Sequence, residues 1–362
     1  MNYLEKYLCS MHDRKYCILT GNGTTSIYLA IKALNLKNKK IAIPNNTCMN
    51  VVLPIYFTGN QPIFLDIDRD SLDINYTELR KKKFDAIIAV HLYGNPCKIK
   101  KIEKFCKERN IYLIEDNALA QGIKINKSPT GSFGDISILS FGAGKTIDIG
   151  HGGAVMTNNK KLFFKMKLLC KELKSYSKEN QFEISNLGLE YKRIYNINYG
   201  NNLNNYQQKF KRLAVSKKKY LLYKYSREYD NKLFLKLSKI KDLVKNRQIN
   251  ALYLFKILKE KDIKYLDFPI IYKNSTFWRF NILINKKRND LLSYLLEKKY
   301  FVSSWYPSLD LLFEQRMTNR DTNSDKIAKK ILNIWTNEQI NKNYLDSIAN
   351  EIESFFKKEK NE

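Results

Sequence analysis

Residues Gly134–Asn158 read GDISILSFGAGKTIDIGHGGAVMTN. An apolar run, Ile136 to Phe141, ends in the small-residue turn Gly142-Ala143-Gly144, and Lys145 follows directly. A Gly-rich bend, Gly150-His151-Gly152-Gly153, then feeds a second apolar run, Ala154-Val155-Met156. This pattern predicts strand, loop with lysine, turn, strand. A lysine ammonium is strongly hydrated and normally ends in water. Held by glycines beside a buried pocket, the amine gives up its proton more readily and attacks carbonyl carbons. Gly142-Ala143-Gly144-Lys145-Thr146 also ends like a phosphate-binding P-loop. That motif needs Gly at position 139, where Leu139 stands, and the strand runs through the place where the loop would begin. The plain alternative is a lysine on a surface turn, one of 64 Lys and Arg residues. The residues upstream argue against it.

Upstream, Thr20-Gly21-Asn22-Gly23-Thr24-Thr25-Ser26 precedes the helical pattern Ile27, Leu29, Ala30, Ala33, Leu34. Free N–H groups, hydroxyls and the positive end of a helix dipole come together there, which suits a phosphate. The third glycine of a dinucleotide fingerprint is missing at Ser26. An ordinary helix N-cap by Thr24 or Thr25 explains the same residues, and taken alone the stretch leaves both open. Strands at Lys40–Pro44, Pro62–Leu65, Phe84–Val90 and Ile111–Ile114 alternate with helices at Thr47–Phe57, Thr77–Lys82 and Lys98–Arg109. Such alternation predicts an α/β fold with a mostly parallel sheet and helices on both faces. Ligands of these sheets bind past the carboxyl ends of the strands, where His91, Glu115, Asp116 and Asn117 stand. A phosphate-binding helix start, a strand-end aspartate and a loop lysine in this order match what pyridoxal phosphate requires. Its phosphate, its ring nitrogen and its aldehyde would each find a partner.

At 362 residues with 44% hydrophobic content, the chain supports two domains and a large core. No 18-residue apolar run predicts a membrane span, and the N-terminus lacks the basic and apolar regions of a signal peptide. A cytoplasmic enzyme with reduced thiols is expected. Six cysteines without a CxxC pair, and three histidines, predict no metal site. The formal charge of +28 is spread along the chain, as a compositional bias toward lysine would leave it, so no nucleic-acid partner is expected.

The sequence resembles the DegT/DnrJ/EryC1/StrS family of sugar aminotransferases. The resemblance rests on Gly23-Thr24-Thr25; Ile43-Pro44; Pro62–Asp68; Val90–Pro96; Glu115-Asp116-Asn117-Ala118; Gly134-Asp135 through Ser140-Phe141 to Lys145; and Gly152-Gly153-Ala154 before Thr157-Asn158. It covers residues 20–158 and returns at Trp278–Leu309. It implies a seven-stranded, mostly parallel sheet in a large domain (1–237, closed by an interdomain helix over Tyr206–Leu237) and a smaller C-terminal α+β domain (238–362). It implies pyridoxal phosphate bound through Lys145, with Asp116 at the ring nitrogen. Gly23, Thr24, Thr25 and Ser140 would lie at the phosphate, and position 48 beside the ring.

The activity implied is transfer of an amino group, from glutamate, to a nucleotide-linked keto-sugar in surface-polysaccharide or amino-sugar biosynthesis. The assembly implied is a homodimer with shared sites. Four positions depart from the family's pattern. Cys48 replaces a stacking aromatic, and Leu119 replaces a Gln that here stands at 121. Gly144 replaces Ser or Thr before the lysine. Asn196-Ile197-Asn198-Tyr199 only partly matches a segment that reaches the neighbouring subunit's cofactor phosphate. These departures leave a catalytically silent cofactor-binding homologue as the alternative. A sugar dehydratase is a further one, although the family's dehydratases carry His in place of the lysine.

Downstream, the pattern predicts a helix at Lys160–Leu173 and covering loops over 174–200. A C-terminal strand near Phe277–Leu283, a helix Lys287–Lys298, a strand near Phe301–Trp305 and closing helices Lys326–Ile334 and Tyr344–Lys357 follow.

Overall fold

A computed structural model describes residues 1–196, 211–212, 215–313 and 321–358. Five short strands carry the first half of the chain: β1 (Tyr16–Thr20), β2 (Lys40–Pro44), β3 (Gln61–Leu65), β4 (Ala86–Val90) and β5 (Tyr112–Asp116). A two-residue hairpin, β6 (Lys124–Ile125) and β7 (Ser128–Pro129), precedes β8 (Ile136–Ser140) and β9 (Gly153–Thr157). Seven of these form one sheet in the order β1-β9-β8-β5-β4-β2-β3. All neighbours from β8 to β3 pair in parallel, and β9 runs antiparallel between β8 and β1. The mostly parallel seven-stranded sheet expected from the resemblance is therefore present.

Burial explains the continuous apolar reading of these strands. Side chains alternate between the two faces, and both faces are covered. Ile41 and Ile43 pack in one apolar cluster with Ile27, Val52 and Leu53, while Ala42, between them, joins Leu79, Ile102 and Phe105 on the other side. Each fully buried Leu or Ile contributes about 1.5–3 kcal/mol relative to exposure.

Downstream of β9 the structure corrects three expectations. Of residues 174–200, expected as loops, the described part is mostly helical: a helix spans Lys178–Asn196, with Leu187 and Tyr191 buried. Tyr206–Leu237 is not one helix. Of its described part, Lys218–Leu221 forms a short helix, and the chain then extends so that Lys224 bridges Thr20 and Tyr223 bridges Lys174. Leu221, Leu222 and Tyr223 are buried in succession. Three consecutive buried side chains need contacts on all sides, which an extended segment laid against the sheet edge provides. The long helix is Ile240–Glu260. Its first half, through Ile240, Leu243 and Val244, packs with Leu4, Leu8 and Ile147. Its second half, through Ala251, Leu254 and Leu258, joins a separate C-terminal core.

That core wraps a four-stranded antiparallel sheet of β10 (Leu266–Asp267), β11 (Phe280–Ile284), β12 (Val302–Ser303) and β13 (Ile331–Ile334), in the order β10-β11-β13-β12. Lys326–Ile334 is thus not one closing helix. The helix Asn323–Lys330 gives way to β13, because Ile331, Leu332 and Ile334 are all fully buried and pair with β11. The expected helices over Lys287–Lys298 and Tyr344–Lys357 appear as Arg288–Glu297 and Lys342–Lys358. No helix of the described residues is long and apolar enough to cross a membrane.

Candidate active site

The carboxyl ends of β1, β2, β4, β5 and β8 share one edge of the sheet, since these strands run the same way. Register then places the site. Ser140 ends β8 opposite Gly153, and Gly153 lies opposite Thr20, so three chain segments meet in one row. Past Thr20 the chain turns through Gly21 and Asn22 into the helix Gly23–Ala33. Asn22, not Thr24 or Thr25, is the N-cap: its side chain accepts the Thr25 N–H at 2.7 Å. The Gly23 and Thr24 N–H groups precede the first intrahelical donor and have no helical acceptor. A Cβ added to Gly23 would lie 3.1 Å from the Ser140 Cβ, so the glycine is what lets the helix start approach Ser140 so closely. Two free N–H groups, a hydroxyl and the positive helix end form an anion cradle.

A cavity of about 310 Å³ opens on this cradle. Gly23, Thr24, Cys48, Asp116, Ser140 and Lys145 all line it. Thr25 does not. It is fully buried, and its hydroxyl donates to the Leu221 carbonyl at 3.2 Å. Asp116 ends β5 and is 3% exposed. Its Oδ1 accepts the Ala118 N–H at 2.9 Å, and among the described residues it makes no ion pair. Burial pushes its carboxyl pKa up, while the Ala118 hydrogen bond and the charge of Lys145 pull the other way. A buried carboxylate without a cation suits a ligand that brings one.

Lys145 is half-buried in a tight turn, its N–H on the Gly142 carbonyl at 3.2 Å. Gly144 has φ +78°, which glycine adopts without steric cost and Ser or Thr would resist. Residues of the C-terminal region pin this loop. The Trp278 indole N–H donates to the Gly144 carbonyl at 2.6 Å, and Arg247 donates to the Lys145 carbonyl at 3.4 Å.

Of the remaining walls, Cys48 and Leu119 were singled out in the sequence, whereas Tyr191 was not. Cys48 caps the helix Met49–Phe57, and burial raises its thiol pKa. No aromatic stands there, yet Tyr191, Trp278, Trp305 and Tyr306 all line the cavity. Tyr306 stacks on Trp278 with rings 4° from parallel. Leu119 faces the cavity, whereas Gln121 lies beneath it, donating to the Ser140 carbonyl at 2.9 Å. His151 lines the cavity as well, ringed by Tyr176, Tyr223, Tyr225 and Tyr229. Its Nε2 accepts the Ser226 N–H at 3.1 Å, and burial pushes its pKa down to about 4, so it is neutral near pH 7.

His91 is buried outside the cavity. Its Nδ1 accepts the Cys97 N–H at 3.1 Å, so Nε2 carries the proton and donates to Glu115 at 2.9 Å. Glu115 also accepts the N–H groups of Gly131 and Phe133. Of the segment Asn196-Ile197-Asn198-Tyr199, residues 197–199 lie outside the described residues.

The cavity's groups fit pyridoxal phosphate: an anion cradle, a buried carboxylate for a protonated ring nitrogen, and a lysine amine for the aldehyde carbon. The profile of the DegT/DnrJ/EryC1/StrS aminotransferase family matches residues 1–203. The GDP-perosamine synthase of Escherichia coli O157:H7 is 37% identical over 169 residues, 45% of this chain and 46% of that protein. The dTDP-3-amino-3,6-dideoxy-alpha-D-galactopyranose transaminase of Aneurinibacillus thermoaerophilus is 31% identical over 184 residues, 49% and 50% of the two chains. The chain thus spans about half the length of the curated relatives it matches. Among solved structures, Helicobacter pylori PseC, an aminotransferase involved in pseudoaminic acid biosynthesis, superposes with a TM-score of 0.78 at 18% identity, covering 98% of this chain and 90% of that one. The E. coli GDP-4-keto-6-deoxy-D-mannose-3-dehydratase with bound hydrated PLP gives 0.72 at 21% identity, covering 96% and 90%. At these identities the likeness is one of fold.

Proposed function

Because the chain belongs to the DegT/DnrJ/EryC1/StrS aminotransferase family, we propose that it is a pyridoxal-phosphate-dependent aminotransferase acting on a nucleotide-linked keto-sugar, with glutamate as amino donor. One observation carries this reading: Lys145, Asp116, Ser140 and the first turn of the helix Gly23–Ala33 line a single cavity. The relatives named for GDP- and dTDP-linked amino sugars support the nucleotide-linked acceptor. A role in surface-polysaccharide or amino-sugar biosynthesis, a cytoplasmic location and a homodimer with shared sites belong to the same proposal. So does a division into a large domain, 1–237, and a small one, 238–362.

When bound, pyridoxal phosphate supplies an electron sink that lets an amino group leave one carbon and join another. The chain's own groups do the rest. Ser140, Thr24 and the Gly23 and Thr24 N–H groups hold the phosphate. The Asp116 carboxylate keeps the ring nitrogen protonated. The Lys145 amine would hold the aldehyde carbon and, as a free amine, would take the proton from the donor's Cα. Cys48, Leu119 and the indoles exclude water around it.

Glutamate alone tests the reading. Loaded protein should release one equivalent of 2-oxoglutarate per site in a single half-turnover, with aspartate and alanine tried beside it. No oxo-acid from any donor, in folded and loaded protein, would favour the silent homologue.

His91 supports the site without moving protons. The variant His91→Gln should keep its cofactor and turn over within about tenfold of wild type. It should lose about 1–3 kcal/mol in urea denaturation, because Glu115 and the Cys97 N–H lose a shaped partner. Complete loss of turnover with cofactor retained would assign His91 a chemical role.

A further inference from the structure

Arg279 opens β11's approach to the cavity, one residue before the strand begins, and its side chain lines the cavity wall. It is 5% exposed. Its guanidinium carbon lies 4.1 Å from the Trp278 ring centroid, 4.4 Å from that of Trp305 and 3.6 Å from that of Trp335. These are all three tryptophans of the chain. One N–H donates to the Ser303 hydroxyl at 2.6 Å, and Ser303 in turn donates to Asn333 at 2.7 Å. Among the described residues no carboxylate reaches Arg279. Its other guanidinium nitrogens are not sealed off in the interior, and the residue lines the cavity.

A guanidinium held this way is unusual. The indole faces stabilise the cation from the sides, yet they accept no hydrogen bonds in its plane. The N–H donors beyond the one on Ser303 therefore keep capacity for an acceptor. Burial pushes the guanidinium pKa down to about 9, so the group is still charged at neutral pH. No carboxylate of the described residues completes the site, which leaves it open to an anionic group of a ligand.

We propose that Arg279 is the carboxylate-binding residue of this cavity, clamping a carboxylate of the substrate while the reacting carbon faces Lys145. The deduction deepens the aminotransferase reading and rests on it for the substrate's identity. Lys145 Nζ is 6.0 Å from the Trp278 centroid, so the two cations are no further apart than that distance plus the 4.1 Å on the Arg279 side. That span suits an amino acid with its nitrogen at Lys145 and a carboxylate at Arg279. A diphosphate fits less well. Lys145 and Arg279 are the two cationic side chains among the described lining residues, and Lys145 has the reacting carbon to hold. A carboxylate is singly charged and planar, and pairs with a guanidinium fork through two parallel hydrogen bonds. It could come from the amino-acid donor or from a uronic-acid acceptor sugar.

The three indoles make the test direct, because all intrinsic tryptophan emission reports on this guanidinium. Cofactor-loaded, full-length protein is titrated with maleate, a dicarboxylate with no amino group to transfer. A saturable emission change is expected. Arg279→Gln should weaken binding at least tenfold, and Arg279→Lys, which keeps charge but loses the fork, should weaken it less. Circular dichroism checks that both variants fold. If the Gln variant does not, Arg279→Lys and Ser303→Ala carry the comparison, and each should bind maleate measurably more weakly than wild type. Unchanged maleate affinity in the folded variants, or inorganic phosphate binding more tightly than maleate, would overturn the assignment. Two kinetic arms separate the sources. A raised KM for glutamate alone in Arg279→Lys points to the donor. A raised KM for a uronic-acid sugar nucleotide, but not for a neutral one, points to the acceptor. The maleate titration does not depend on turnover, so it still reads if the transamination reading fails.

Discussion

The variant Lys145→Ala should fold normally and lose transamination by at least about 10⁴-fold, the upper range for removing a positioned acid–base group, because the proposed reaction asks two tasks of one amine. In that reaction it would anchor the cofactor's aldehyde carbon and carry the proton at the donor's Cα. Neither task has an obvious substitute, since Lys145 is the sole lysine among the described lining residues. The loop around it is held by backbone contacts: Lys145 N–H to the Gly142 carbonyl, the Trp278 indole to the Gly144 carbonyl and Arg247 to the Lys145 carbonyl. Removing the side chain leaves all three in place. Lys145→Arg should be as inactive as the alanine variant, because a guanidinium keeps its proton and cannot act as a nucleophile. Borohydride reduction of loaded wild-type protein, followed by peptide mapping, should place the pyridoxyl group on Lys145. A label on any other lysine would remove this residue from the centre of the site.

Much of this site was legible because parallel sheets leave a strong trace. Strands buried on both faces read as short apolar runs, and their carboxyl ends converge on one edge. Position marked Lys145 in its loop and Asp116 among the strand-end residues, whereas Ser140 entered through the family resemblance. What escaped depended on partners distant in sequence. Strand Tyr16–Thr20 is recognisable only through its pairing with Gly153–Thr157. The helix Lys178–Asn196 hides its inward stripe, because Phe182 and Leu189 are exposed while Leu187 and Tyr191 are buried, which blurs the period. Strand Ile331–Ile334 follows a helix without a Gly or Pro between them, so local pattern reads straight through the boundary. Asn22 was passed over for its threonine neighbours, although Asn is as strong an N-cap as any residue. Arg279 left one faint signal: a charge beside Trp278, at the mouth of an apolar strand. Nothing local shows that Trp305 and Trp335 close around it.

Asp116→Asn should lower turnover by about 10²–10⁴-fold while leaving the cofactor-free protein at least as stable as wild type at neutral pH. The two halves have one cause. Asp116 is buried, and its carboxylate meets no cation among the described residues. Burial therefore raises its pKa in the folded state. For an acid shifted in this direction, folding favours the protonated form. Its stabilising contribution is complete below the unfolded carboxyl pKa and fades as pH rises through the folded value. Above that value the cofactor-free protein holds a buried, unpaired anion. The Asn side chain keeps an oxygen for the Ala118 N–H and removes the charge, so the melting temperature of the variant should equal or exceed that of wild type at pH 7. The gap should close on acidification, as wild type becomes protonated. Cofactor should reverse the balance, because a protonated ring nitrogen would supply the missing cation. Wild type should then gain more stability from pyridoxal phosphate than the variant does. Its cofactor affinity should fall as pH drops through the raised Asp116 pKa, while the affinity of Asp116→Asn stays flat across the same range. A variant that melts lower without cofactor and turns over normally with it would make this carboxylate a strand-end cap and nothing more.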